Sequence, residues 1–172
     1  MGVQTAITLD EYLHTSYPNP DREFRDGELI ERSMPDSLHG ECQGLFCVFF
    51  GQFRNKLRLY ACPETRLRLP NNRVLIPDIS VFHPSKPARV PDSPPLVVIE
   101  ILSRDDLPGA VREKLQEYID WGVPHVWLVD PDSRRLYSFD KELIEVESLK
   151  IAELGIEVRP DDIFDPELNT VT

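Results

Sequence analysis

At 172 residues with a net charge of −11, the chain is long enough for one sizeable core. Its charge argues against a broad basic groove and against attraction to anionic membranes. Apolar content of 41% and charged content of 28% are ordinary for a soluble globular protein. No run approaches the ~18–20 apolar residues of a membrane span. The opening MGVQTAITLDEYL lacks the pattern of a signal peptide, and Ala6 breaks the myristoylation pattern. Cys42, Cys47 and Cys62 form an odd set with no CxxC, which fits reduced thiols in a cytoplasmic protein better than a disulfide framework or a zinc site.

In chain order, Thr8-Leu9-Asp10-Glu11 reads as a capping box opening a short helix to about His14. SYPNPD (16–21) is a loop. REFRDGELIER (22–32) predicts two short strands around Asp26-Gly27, a type I′ hairpin signal. MPDSLHGE (34–41) turns into a helix expected over about 38–57, with Leu45, Phe49, Phe53 and Leu57 as its apolar stripe. Strands follow at roughly 58–69, 74–82 and 95–102. HPSKPARVPDSPP (83–95), with five prolines, predicts a stiff exposed loop. A helix is expected over 105–121, with Asp105 as N-cap, Pro108 in the first turn and Gly122 at C′. HVWLVD (125–130) and RLYSF (135–139) form a hairpin around PDS. Residues from about 143 onward add a strand or two and a cap.

Two carboxylates stand out. In VLIPDISVF (74–82), a period of two puts Val74, Ile76, Asp78 and Ser80 on one face and Leu75, Ile79 and Val81 on the other. In PLVVIEIL (95–102), Leu96, Val98, Glu100 and Leu102 share a face. Both strands are apolar on both faces, so both are expected to be central and covered. A buried carboxylate costs several kcal/mol or takes up a proton, so each needs a partner. That partner is a nearby Arg or Lys, or a metal ion held by both.

The helix after Glu100 carries a third group. On a helical wheel, Leu107, Leu115, Tyr118, Ile119 and Trp121 fall near Val111, while Glu113, Gln116, Glu117 and Asp120 fall opposite. Lys114 falls with the apolar set. There it either snorkels or faces a sheet bearing two carboxylates. With its stem among apolar neighbours, it is expected to matter for catalysis and little for folding.

Pro-Asp on one strand, Glu on the next and Lys on the following helix resemble the PD-(D/E)XK nuclease superfamily, whose core runs helix, three strands, helix, strand. Within it, the chain is similar to the Uma-two family of restriction-endonuclease-like proteins. REFRDGELIE, the Ser37–His39 turn, IPDISVF, LVVIEILS, the Lys114–Tyr118 segment, GVPHVWLVDP and GIEVRPDDIF carry the resemblance. It implies an α/β fold with a restriction-endonuclease-like core and a mixed central sheet flanked by helices. The corresponding division is one domain over 1–172: an N-terminal helix and hairpin (1–35), a nuclease core (36–140) and a C-terminal cap (141–172).

The resemblance also implies a function. Asp78, Glu100 and Lys114 are the expected catalytic residues of a Mg²⁺-dependent DNA endonuclease, with Mn²⁺ as a substitute. The metal is held by Asp78, Glu100 and the backbone carbonyl of Ile101. His39, Glu23 and Glu28 are accessory candidates, each weighed against a structural role. The chain departs from the superfamily in one respect. The Glu-x-Lys spacing points to position 102, which is Leu102, and Lys114 takes the lysine's place.

The partner implied is DNA, duplex first, with no membrane. The negative charge opposes a firm grip on DNA. Arg54, Lys56, Arg58, Arg66, Arg68, Lys86, Arg89, Arg134 and Arg135 are candidates for one cleft rim, and a homodimer would add grip. The alternatives are a catalytically silent nuclease fold used for protein binding or regulation, and a nuclease acting on RNA or a nucleotide.

Overall fold

A computed structural model describes residues 6–18 and 20–164. Helix α1 (Leu9–Leu13) starts at the predicted capping box: Thr8 Oγ accepts from the Glu11 amide at 3.1 Å, and the Glu11 carboxylate accepts from the Thr8 amide at 2.8 Å. Strands β1 (Glu23–Arg25) and β2 (Glu28–Ile30) form the predicted hairpin, with Asp26 and Gly27 at φ 51° and 95°. Positive φ at both positions is what a type I′ turn requires.

The long helix differs from expectation. It is α2 (Ser37–Gly51), followed after a break by the single turn α3 (Arg54–Leu57). Asp36 caps α2, accepting from the His39 amide at 3.0 Å. The buried stripe is His39, Cys42, Phe46 and Phe50. Leu45, Phe49, Phe53 and Leu57 flank it, half-buried. Steps of four drift by about 40° each on a 3.6-residue helix, whereas 3-4-4 steps stay on one face.

Two predicted strands are each split in two. The 58–69 run becomes β3 (Tyr60–Pro63) and β4 (Leu67–Leu69). The 74–82 run becomes β5 (Arg73–Leu75) and β6 (Ile79–Phe82). The second split falls at Ile76-Pro77-Asp78, where proline removes an amide from the ladder. Strand β7 (Val97–Ile101), helix α4 (Pro108–Trp121) and β8 (His125–Asp130) follow, then β9 (Arg135–Asp140), β10 (Glu142–Val146), β11 (Leu149–Ile151), β12 (Ile156–Val158) and α5 (Pro160–Ile163).

The central sheet is mixed and runs β10-β9-β8-β7-β6-β3. Strands β7 and β8 pair in parallel, and the other neighbours are antiparallel. A parallel pair needs a crossover, and α4 supplies it. A smaller antiparallel sheet runs β2-β1-β5-β4, and β11 pairs with β12. On one face of the central sheet, Phe46 and Phe50 of α2 pack on Ile79, Val81, Val97, Ile99 and Trp127. On the other, Leu115 and Tyr118 of α4 pack on Val98, Val126, Leu128 and Phe139. Both faces are covered, which is why these strands are apolar throughout. Because the chain changes sheets at Asp78, the single alternation expected over 74–82 does not hold: Leu75 packs on the α4 side and Ile79 on the α2 side.

Helix α4 begins later than expected. Leu107, not Asp105, is its N-cap residue, Pro108 is at N1, and Gly122 closes it at φ 99°. Leu107 is 71% exposed, outside the face the wheel gave it. Glu117 is not solvated either: its carboxylate meets Arg25 NH1 at 3.0 Å and Arg73 NH1 at 2.8 Å. Among the described residues, no helix is long and apolar enough to cross a membrane.

Candidate active site

The split between β5 and β6 positions the site. Asp78 sits at the bend where the chain leaves the small sheet for the central one. Its backbone carbonyl accepts from Gln43 Nε2 of α2 at 2.9 Å. Its carboxylate Oδ2 accepts from the Ile101 amide at 2.7 Å, while Oδ1 lies 3.1 Å from Arg32 NH2 and 3.2 Å from His39 Nε2. Glu100 lies on β7 beside Val98, so its side chain points to α4 as the alternation predicts. There Tyr118 donates its hydroxyl to Oε1 at 2.8 Å.

Lys114 lies one turn before Tyr118 on α4. Its ammonium is 2.7 Å from Glu23 Oε1 and 3.0 Å from Glu100 Oε1, and it donates to the Ile76 carbonyl at 3.1 Å. The same Glu23 oxygen accepts from the Ile76 amide at 3.0 Å. Lys114 therefore does not snorkel; it joins carboxylates from two sheets.

These groups line one pocket of about 280 Å³. Asp78, Glu100, Lys114, His39, Glu23 and Ile101 all contribute, with Arg32, Ser33, Ser103 and Asp106 on its wall. Glu28 does not: it is exposed on β2. Of the candidate rim cations, Arg66 is consumed internally, bonding the Asp21 carboxylate at 2.6 and 2.8 Å.

The two central carboxylates are shifted in opposite directions. Burial pushes Glu100 up to about 7. Lys114 opposes the rise, while the Asp78 and Glu23 charges add to it. Burial also works against the charge of Asp78, but the hydrogen bond and charge of His39, then Lys114 and the Ile101 amide, hold its pKa below the usual value. His39 shows the converse: burial lowers its pKa, and Asp78 more than restores it, leaving a net rise. Divergent environments for paired carboxylates are characteristic of sites that handle protons or cations.

A profile of the Uma2 family, described as "Putative restriction endonuclease", matches residues 9–170. The chain belongs to the Uma2 family. A crystal structure of a putative nuclease belonging to DUF820 from Anabaena variabilis ATCC 29413 matches over 92% of this chain and 97% of that one, at 23% identity and TM-score 0.78. That likeness concerns the fold, and it agrees with the mixed sheet and flanking helices. No curated protein matches.

Several site groups of this Uma2 chain escape sequence reasoning. Arg32 reads as a polar residue at a strand end, and Tyr118 as core. Asp106, which accepts from Ser33 Oγ at 2.6 Å and the Ser103 amide at 2.8 Å, is passed over in sequence for its neighbour Asp105, the expected N-cap. Only Tyr118 carried a usable signal: it is one helical turn after Lys114, on the same face.

Proposed function

We propose that this protein is a divalent-metal-dependent endonuclease that hydrolyses DNA phosphodiester bonds. One observation carries the proposal: Asp78, Glu100 and Lys114, from a strand junction, a strand and a helix, converge on one pocket. The donor set fits Mg²⁺, or Mn²⁺ in its place. Two carboxylates on neighbouring elements offer hard oxygen ligands, with the Ile101 carbonyl as a further candidate, and waters and phosphate oxygens complete such sites. When bound, the cation polarises a phosphoryl oxygen and acidifies a water.

The chain's own residues do the rest. Tyr118 fixes the orientation of Glu100 through its 2.8 Å bond. Lys114, surrounded by Glu23, Glu100 and the Ile76 carbonyl, is held as an ammonium. With its three donors taken, it acts through its positive charge, offsetting negative charge in the transition state, and not as a base. Glu23 anchors that ammonium from the small sheet. His39, through its hydrogen bond and charge, helps keep Asp78 ionised. Duplex DNA is the proposed substrate. The free Cys42, Cys47 and Cys62 fit the proposed cytoplasmic setting.

The test is nicking of supercoiled plasmid by purified protein with Mg²⁺, Mn²⁺ or Co²⁺, alongside Asp78→Asn and Glu100→Gln. Metal-dependent nicking by the wild type, lost in both variants, is expected. No cleavage of supercoiled, duplex or single-stranded DNA with any of these ions would favour the non-catalytic module, which the net charge of −11 also favours.

A further inference from the structure

Asp78 Oδ1 has no direction left for a metal ion beside its two donors. Oδ2 is taken by the Ile101 amide, and Oδ1 is shared by Arg32 and His39. A carboxylate oxygen offers about two lone-pair directions, so a cation reaches Oδ1 only if one donor leaves. His39 is held elsewhere: Nδ1 lies 3.1 Å from Ser103 Oγ, and its amide donates to Asp36. Arg32 is held more weakly. NH2 meets Asp78, but NH1 is buried with no hydrogen-bond partner, on a side chain only 11% exposed. The backbone around it is pinned, by β2 on one side and by the Ser33–Asp106 bond at 2.6 Å on the other. The guanidinium can therefore move while its anchor stays.

A guanidinium freed from its carboxylate inside a pocket needs another anion. Arginine's planar fork matches two phosphate oxygens. We propose that Arg32 is a substrate-binding residue with two successive partners. In the free protein it caps Asp78. When a divalent cation takes Oδ1, it turns to the non-bridging oxygens of the scissile phosphodiester, engaging NH1 as well. This inference rests on the nuclease function proposed above.

The experiment compares wild type, Arg32→Met, Arg32→Lys and Asp78→Asn, each first checked for a folded circular dichroism spectrum. Mn²⁺ titration by calorimetry measures metal affinity. Anisotropy of a fluorescein-labelled duplex in Ca²⁺ measures substrate binding, and plasmid nicking in Mn²⁺ measures turnover. Arg32→Met should bind Mn²⁺ at least as tightly as wild type, while Asp78→Asn binds it poorly. It should lose roughly tenfold or more in duplex affinity, as expected for a charged hydrogen bond. Its salt dependence should shrink by about one released ion, and Arg32→Lys should recover part of the loss.

If Arg32→Met loses Mn²⁺ affinity as Asp78→Asn does, Arg32 only positions Asp78 and the proposal fails. Wild-type duplex binding and cleavage by Arg32→Met would also overturn it, leaving the nuclease function intact. A wild type that neither binds duplex nor cleaves removes the nuclease function and this inference with it. Should Arg32→Met not fold, Arg32→Lys decides: Mn²⁺ affinity kept with duplex affinity lowered supports the clamp, and unchanged duplex affinity refutes it.

Discussion

Lys114 Nζ lies 3.0 Å from Glu100 Oε1, an ion pair that ties helix α4 to strand β7 at the floor of the pocket. With Glu23 at 2.7 Å on its other side, this lysine neutralises carboxylates from two sheets. The expectation that it matters little for folding therefore does not hold. Lys114→Met leaves Glu23 and Glu100 buried without their cation, a loss commonly worth ~3–5 kcal/mol. Thermal melting in EDTA should drop accordingly, and Mn²⁺ should recover part of the drop. Plasmid nicking should slow at least about a hundredfold. Equal melting temperatures for variant and wild type in EDTA would contradict the bridge.

Asp78→Asn tests the metal site from the other carboxylate. Metal should raise the melting temperature of the wild type by mass action, and the variant should lose most of that rise. Repulsion between Asp78 and Glu100 alone would make the metal-free variant more stable. The structure predicts the reverse, because Asp78 is paired with Arg32, His39 and the Ile101 amide. An amide in its place leaves the buried guanidinium without its counter-charge. A higher melting point for Asp78→Asn in EDTA would count against this pairing.

Helix α4 offers a paired test of packing and charge. Leu115, 1% exposed, should cost ~2–5 kcal/mol when truncated to alanine. Glu117 joins Arg25 and Arg73 with its own side chain 17% exposed. Glu117→Ala should cost about 1–2 kcal/mol, between an exposed pair and a buried one. Urea unfolding measures both. A negligible cost for Glu117→Ala would mean that the two arginines are solvated without it.

Glu100 gives the metal-free protein a signed pH dependence. Its pKa is raised from an ordinary 4.5 to about 7, so the folded state binds the proton more tightly than the unfolded chain does. Its contribution is fully present below about 4.5 and is lost as pH rises through about 7. His39, also raised, acts in the same direction at higher pH, whereas Asp78, lowered, contributes above its unfolded value and is lost in acid. The melting temperature of Glu100→Gln minus that of wild type, in EDTA, should therefore grow between pH 5 and pH 8. A flat difference would mean that Glu100 is ionised throughout.

The fold was largely legible because its signals are local. The Thr8 capping box, the Asp26-Gly27 turn and the Gly122 end of α4 depend on neighbours a few residues away. Glu100 and Lys114 were legible because each breaks an apolar pattern whose period is known. The split at Pro77-Asp78 was not, because an apolar run reads the same whether one sheet or two bury it. Arg32 was hidden for a related reason: its partner Asp78 lies 46 residues away, and no local pattern encodes such a meeting. Glu23 was legible only as an accessory candidate beside the Asp26-Gly27 turn, because its partner Lys114 was equally out of local reach.

The change of sheet at Ile76–Asp78 has a consequence for local opening. Glu23 belongs to the small sheet, Glu100 and Lys114 to the central sheet and its crossover helix, and Asp78 to the junction. The pocket therefore exists only while the two sheets are docked. Two sets of ion pairs bridge that docking directly: Glu23 meets Lys114, and Arg25 and Arg73 of the small sheet meet Glu117, both partners lying on α4. Separating the small sheet from α4 breaks these pairs and opens the pocket together. Whatever occupies the pocket adds its binding free energy to that separation.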